Sequence, residues 1–138
     1  MYVVRKKFKF EMAHRLISSL SKSCQNYHGH SYILEVFFKS DTLNKDGMVI
    51  DFGEIKERLK QLVDDFDHAL VLNEKDPVLK LFDQCLTKIV KVNYNPTAEC
   101  MTKDFYDRIK YLIMNFGNVQ LVKVRLHETD TGFAEYSE

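Results

Sequence analysis

The segment CQNYHGH, residues 24 to 30, puts one thiol and two imidazoles close together, with a single glycine between the histidines. Side chains two apart on a strand point the same way, so His28 and His30 converge on the face that carries Tyr32 and Leu34. His14 shares the parity of Phe8, Phe10 and Met12, which turns all three imidazoles toward one side of one sheet. Three neutral imidazoles on rigid strands, with no fourth ligand nearby in sequence, are the donor set of a catalytic zinc that keeps one position open. The plainer alternative is a set of core or surface histidines satisfied by hydrogen bonds, because H-x-H spacing alone does not specify a metal.

Cys24 precedes His28 by four residues. It could close the metal site as a fourth ligand, or stand beside the metal as a thiolate. A free thiol titrates near ~8.5, and an adjacent zinc or imidazolium lowers that enough for it to act as a base near neutral pH. Spacing leaves both roles open. Cys85 and Cys100 adjoin apolar helical stretches and read as small buried hydrophobes. Asp67 and His68 stand together in FDHALVLN at the end of a helical stretch, where the dipole favours an imidazolium; taken alone, such a pair is more often an exposed helix end than a catalytic pair. Glu128 follows Val122, Val124 and Leu126 on one strand face, and a carboxylate aimed inward must be paired or must grip a ligand. Glu99 lies in the first turn of a helix, where its charge suits the dipole.

These residues need elements to hold them. Residues 2–14 alternate, with Phe8, Phe10, Met12 and His14 on one side, as a half-buried strand does. A second strand starts near His28 and places Tyr32, Leu34, Val36 and Phe38 on one face before the turn-forming SDTLNKDG. The period then changes: Ile55, Leu59, Leu62, Val63 and Phe66 recur at helical spacing, and Asp51 with Glu54 resembles a capping box. A second helix starts at Asn95, Pro96 or Thr97, carries Met101, Phe105, Ile109, Leu112 and Phe116 as its stripe, and is closed by Gly117. VQLVKVRLHE reads as a strand and GFAEY as a short returning partner, while residues 77–93 suggest a turn of helix followed by an edge strand. The order predicts an α+β fold, an antiparallel β-sheet covered on one face by two long helices.

Composition excludes several classes. The chain has 138 residues, enough for one domain over 1–138 with its own core. No apolar window approaches the roughly 18 residues of a membrane span. Twenty basic and twenty acidic residues cancel, and the run Arg5, Lys6, Lys7 and Lys9 reads as the solvated side of a strand, so nucleic acid is not an expected partner. The short apolar start MYVV lacks the h-region of a secretory signal, and three scattered cysteines suit reduced thiols. A cytoplasmic location without disulfides is expected.

Several segments resemble one family. FKFEMAHRL is similar to the first zinc-ligand strand of the 6-pyruvoyl-tetrahydropterin synthase superfamily, CQNYHGHSY to its cysteine and paired zinc histidines, and GMVIDF to the segment before its first helix. FDHALVLN, NPTAE and HETDTG resemble its later motifs, in the same order, so the resemblance spans nearly the whole chain. The close placement of Cys24 before HGH resembles the bacterial branch that makes 6-carboxy-5,6,7,8-tetrahydropterin for 7-deazaguanine (queuosine) biosynthesis.

The resemblance implies a lyase that converts 7,8-dihydroneopterin triphosphate with loss of triphosphate and acetaldehyde. It implies zinc on His14, His28 and His30, Cys24 as general base, and Asp67 with His68 as the partner proton relay. Glu128 would anchor the pterin, with Thr97 and Glu99 lining the same pocket. The implied fold is the tunnelling fold, whose copies join edge to edge into a barrel, commonly a hexamer of two trimers with active sites at subunit interfaces. A pyruvoyl-type synthase that eliminates triphosphate without side-chain cleavage, or a non-catalytic pterin- or metal-binding relative, are the alternatives. Residues 74–94 are longer than the corresponding link in compact relatives, and Ala69 follows His68 where some have another histidine. Arg15 and Lys22 are candidates for the triphosphate, though each is also an ordinary surface charge.

Overall fold

In the computed structural model, which describes residues 1–17, 20–82 and 87–138, the alternating N-terminal segment is strand β1 (Tyr2–His14). It pairs antiparallel with β2 (His28–Ser40) along its full length, from Tyr2 opposite Ser40 to His14 opposite His28. The connection between them includes a 3-10 turn at Lys22–Gln25. Helix α1 (Phe52–Phe66) begins where the Asp51 carboxylate accepts from the Gly53 amide at 2.5 Å. Strand β3 (Ala69–Asn73), the one-turn helix α2 (Leu79–Phe82) and strand β4 (Ile89–Val92) follow. Helix α3 (Ala98–Leu112) then leads to β5 (Gln120–His127) and β6 (Phe133–Tyr136).

The six strands form one curled sheet in the order β4-β3-β1-β2-β5-β6. It is mixed, which corrects the expectation of an antiparallel sheet: β3 runs parallel to β1, and β4 parallel to β3. The difference comes from β3, a strand that periodicity does not reveal. Ala69, Leu70, Val71 and Leu72 are all buried, so the segment has no polar alternate face. Helix α1 carries the chain past β1 to its open side, where β3 runs opposite to β2, the strand that precedes it, and so parallel to β1.

Both long helices cover the face bearing Phe10, Met12, Tyr32, Leu34, Val36 and Phe38. Phe10 stacks on Tyr32 at 5.2 Å, and Phe105 meets Phe10 and Phe66 edge-on at 6.1 and 4.9 Å. Two strand-and-helix details depart from the sequence reading. A bulge at Phe37/Phe38 sets Leu121 opposite Phe38 and Val124 opposite Val36, so Leu121 rather than Val122 packs on the core below it. Helix α3 ends at Leu112, not at Gly117; turns occupy the next residues, and Gly117 adopts φ +61° within them.

The opposite face carries one buried acid. Glu35 sits 2.7 Å from Arg5, 3.7 Å from Lys7, 3.5 Å from Arg125 and 2.9 Å from His127. The basic run is therefore only partly solvated decoration, since Arg5 and Lys7 neutralise a carboxylate that would otherwise be stranded. Cys100 is exposed on α3 rather than buried, and Cys85 lies outside the described residues.

Candidate metal centre and pocket

Three elements meet at one end of the helix-covered face: the last rung of the β1–β2 pair, the N-terminus of α3, and the residues just after β5. The meeting point is a pocket of about 360 Å³ lined by His14, His28, His30, Cys24, Thr97, Glu99 and Glu128. The strand parity that aligns the three histidines brings their ligand atoms within 4.8 Å of one another. Among the described residues this is the one group of three or more metal-ligating side chains so gathered, and Cys24 is not in it.

Backbone carbonyls decide which ring nitrogens face the centre. His14 Nδ1–H donates to the Pro96 carbonyl at 2.7 Å, and His28 Nδ1–H donates to the Asn26 carbonyl at 2.8 Å. A carbonyl cannot donate, so each neutral ring is left with a bare Nε2, and the two Nε2 atoms stand 3.1 Å apart. Two lone pairs at that distance repel unless a proton or a cation lies between them. Burial lowers the pKa of His14, more than the Pro96 hydrogen bond raises it, and this works against the proton. His30 Nε2 is also buried and without a hydrogen bond. Two bare nitrogens oriented by outer hydrogen bonds, with the unpartnered His30 Nε2 beside them, fit a bound metal ion.

Glu128 hangs over this centre. Its Oε1 lies 3.6 Å from His14 Nε2, 3.7 Å from His30 Nε2 and 3.5 Å from the Tyr32 hydroxyl, which donates to it. Burial, with the Glu128 charge adding to it, raises the Tyr32 pKa far above normal and keeps that hydroxyl a donor. Thr97 caps α3, its hydroxyl accepting from the Cys100 amide at 3.2 Å. Exposed Glu99 follows in the first turn, so both pocket residues also serve the helix.

Asp67 and His68 are a genuine pair, with Oδ2 and Nδ1 3.0 Å apart, but they lie elsewhere. His68 opens onto a second pocket, lined also by Glu11, Ala13, Gly29, His30 and Ser31, so that His30 borders both. The turn that presents it is locked to β1: Asp67 Oδ1 accepts from the Glu11 amide at 2.8 Å, and the His68 amide donates to the Glu11 carbonyl at 2.6 Å. His68 pays for this with φ +57°, a left-handed conformation uncommon outside glycine, and its side chain is 77% exposed. The Glu11 amide, and after it His68, hold the Asp67 carboxyl below its ordinary range. Arg15 is gripped by Asp76, at 2.9 Å from Nε. Sequence reading gave Asp76, Pro96 and Asn26 no part in the site: Pro96 enters it only as a possible helix start, and Asp76 carries only an Asp-Pro turn signal.

A curled sheet backed by two helices, with three histidines gathered at its end that could hold a metal ion, defines an α+β scaffold, and comparisons with known proteins place it in a family. The family model described as 6-pyruvoyl tetrahydropterin synthase matches residues 3–138, and the chain belongs to that family of enzymes. It is 38% identical to the 6-carboxy-5,6,7,8-tetrahydropterin synthase of Aquifex aeolicus, over 98% of this chain and 97% of that one. It is 34% identical to the protein of the same name from Haemophilus influenzae, over the full length of both. Among solved structures, an uncharacterized protein from Wolinella succinogenes shares the fold with TM-score 0.87 at 22% identity, covering 99% and 98% of the two chains. The 6-pyruvoyl tetrahydropterin synthase of Caenorhabditis elegans shares it with TM-score 0.72 at 24% identity, covering 99% and 95%. Among the described residues no helix is long and apolar enough to cross a membrane.

Proposed function

We propose that this chain converts 7,8-dihydroneopterin triphosphate to 6-carboxy-5,6,7,8-tetrahydropterin, releasing acetaldehyde and triphosphate, as a cytoplasmic step toward 7-deazaguanine (queuosine) nucleosides. The observation that carries the reading is one pocket holding the histidine triad, a thiol and an inward carboxylate, in a chain whose relatives bear that synthase's name.

The ion is zinc, which suits three imidazoles with an open position. Bound there, it would supply Lewis acidity toward the side-chain hydroxyls and the carbonyl derived from them. Cys24, at the rim of the same pocket, removes a proton from the side chain. Glu128 accepts two hydrogen bonds from the N3 and 2-amino edge of the pterin, as a carboxylate accepts a guanidinium. Thr97 and Glu99 line the pterin's other side.

Asp67 and His68 act as the proton relay of a neighbouring copy's site. Support comes from His68, which is absent from the triad's pocket and opens onto one that shares only His30 with it, and from the edge strands β4 and β6, whose outer backbone groups a second copy can pair. Edge-to-edge trimers, stacked as a hexamer, complete the site.

The test is to incubate zinc-loaded protein and its Cys24→Ala variant with 7,8-dihydroneopterin triphosphate while following acetaldehyde and 6-carboxytetrahydropterin together. Wild type should make both and the variant neither. Release of triphosphate without acetaldehyde would replace this reading with a 6-pyruvoyl-type elimination, and no turnover by zinc-bound protein would reduce it to a binding relative.

A further inference from the structure

A buried acid outside the pocket reaches the thiol through a chain of contacts. Asp76 is 2% exposed, in the turn after β3. Its Oδ1 accepts from the Val78 amide at 3.0 Å, and its Oδ2 lies 2.9 Å from Arg15 Nε. A buried carboxylate persists only when paired, so Asp76 dictates where Arg15 lies.

Arg15 directly follows His14. Its guanidinium stands over the Tyr27 ring, 5.6 Å from the centroid, and Tyr27 directly precedes His28. Phe82, the last residue of α2, meets the same ring edge-on at 6.1 Å. One residue past Arg15, the Leu16 amide donates to the Cys24 carbonyl at 2.8 Å. The two ends of the connection between β1 and β2 are thus gripped together from outside, and the grip continues through one backbone hydrogen bond to Cys24.

We infer that Asp76, acting through Arg15 and Tyr27, is a positioning residue that fixes where the Cys24 thiol stands in the pocket. The residue touches no substrate in this arrangement. Its role goes with the proposed reaction insofar as Cys24 is the base there, but the positional claim can be tested without any pterin. The triad itself is held by other bonds, from Pro96 and Asn26, so loosening the clasp should free the thiol while leaving the metal in place.

The experiment treats zinc-loaded protein with iodoacetamide and compares, by peptide mass spectrometry, the alkylation rate of Cys24 with that of exposed Cys100 in the same tube. Asp76→Asn and Tyr27→Ala should each raise the Cys24-to-Cys100 ratio about fivefold, the scale of a modest local opening, with zinc content unchanged. Tyr27→Phe keeps the ring and should match wild type. An unchanged ratio in folded Asp76→Asn, or an altered ratio only in step with zinc loss, overturns the inference. Should Asp76→Asn fail to fold, the Tyr27 pair decides: equal ratios in Tyr27→Ala and Tyr27→Phe overturn it. Since no turnover is measured, failure here is separable from failure of the proposed reaction.

Discussion

The three imidazoles of the centre are legible from spacing alone, because two of them share one strand and His14 keeps the parity of its neighbours. What spacing does not reveal is how the rings are oriented. The Pro96 carbonyl is 82 residues from His14, and backbone acceptors carry no side-chain signature. Zinc at a hundredfold excess over its dissociation constant should raise the thermal midpoint by about 10 °C, since it binds the folded chain preferentially. His28→Ala should abolish most of that rise in the same thermal scan; an equal rise in the variant would place the ion elsewhere. On the far face, Glu35 makes an acid-side prediction. Burial pushes its carboxyl up, but His127, Arg5 and Lys7 outweigh this and hold it below its ordinary value of 4.5. A carboxylate depressed in the folded state stabilises fully above its unfolded pKa and ceases to do so as pH falls through its folded one. Glu35→Gln should therefore cost about 2 kcal/mol at neutral pH, by chemical denaturation. The gap to wild type should close as the pH falls below the ordinary carboxylate range, whereas a pH-independent gap would assign the loss to packing.

At the scale of elements, β1, β2, α1, β5 and β6 follow from period and turn chemistry, and each lies close to where the residues predict it. Strand β3 was not legible because both of its faces are buried, which erases the alternation that marks a strand. The bulge at Phe37/Phe38 was equally hidden, since a one-residue insertion appears only once two strands are aligned. Helix α3 links stability to the pocket through its cap. Thr97→Ala should cost about 1 kcal/mol and lower the thermal midpoint by about 4 °C, the usual effect of losing an N-cap oxygen. Thr97→Ser should restore the midpoint, and failure to do so would show that the methyl group matters more than the hydroxyl.

Within the whole molecule, His68 lines a pocket that shares only His30 with that of the triad, and the proposed assembly brings the Asp67–His68 pair to a triad between copies. His28→Ala and His68→Ala proteins should each be inactive alone. Unfolded together and refolded as mixed oligomers, they should recover about a quarter of wild-type activity, because random pairing joins an intact triad to an intact relay at about that frequency. No recovery would mean that each chain supplies its own relay.

The β1–β2 pair has a further consequence for how the chain becomes organised. Its final rung, His14 opposite His28, holds two ligands, and the third is two residues along the same strand. Sliding one strand past the other by a single residue would turn its ligands to the opposite side of the sheet. A metal ion held by all three nitrogens would therefore reject the misaligned hairpin, and the centre would then act as a proofreader of strand alignment.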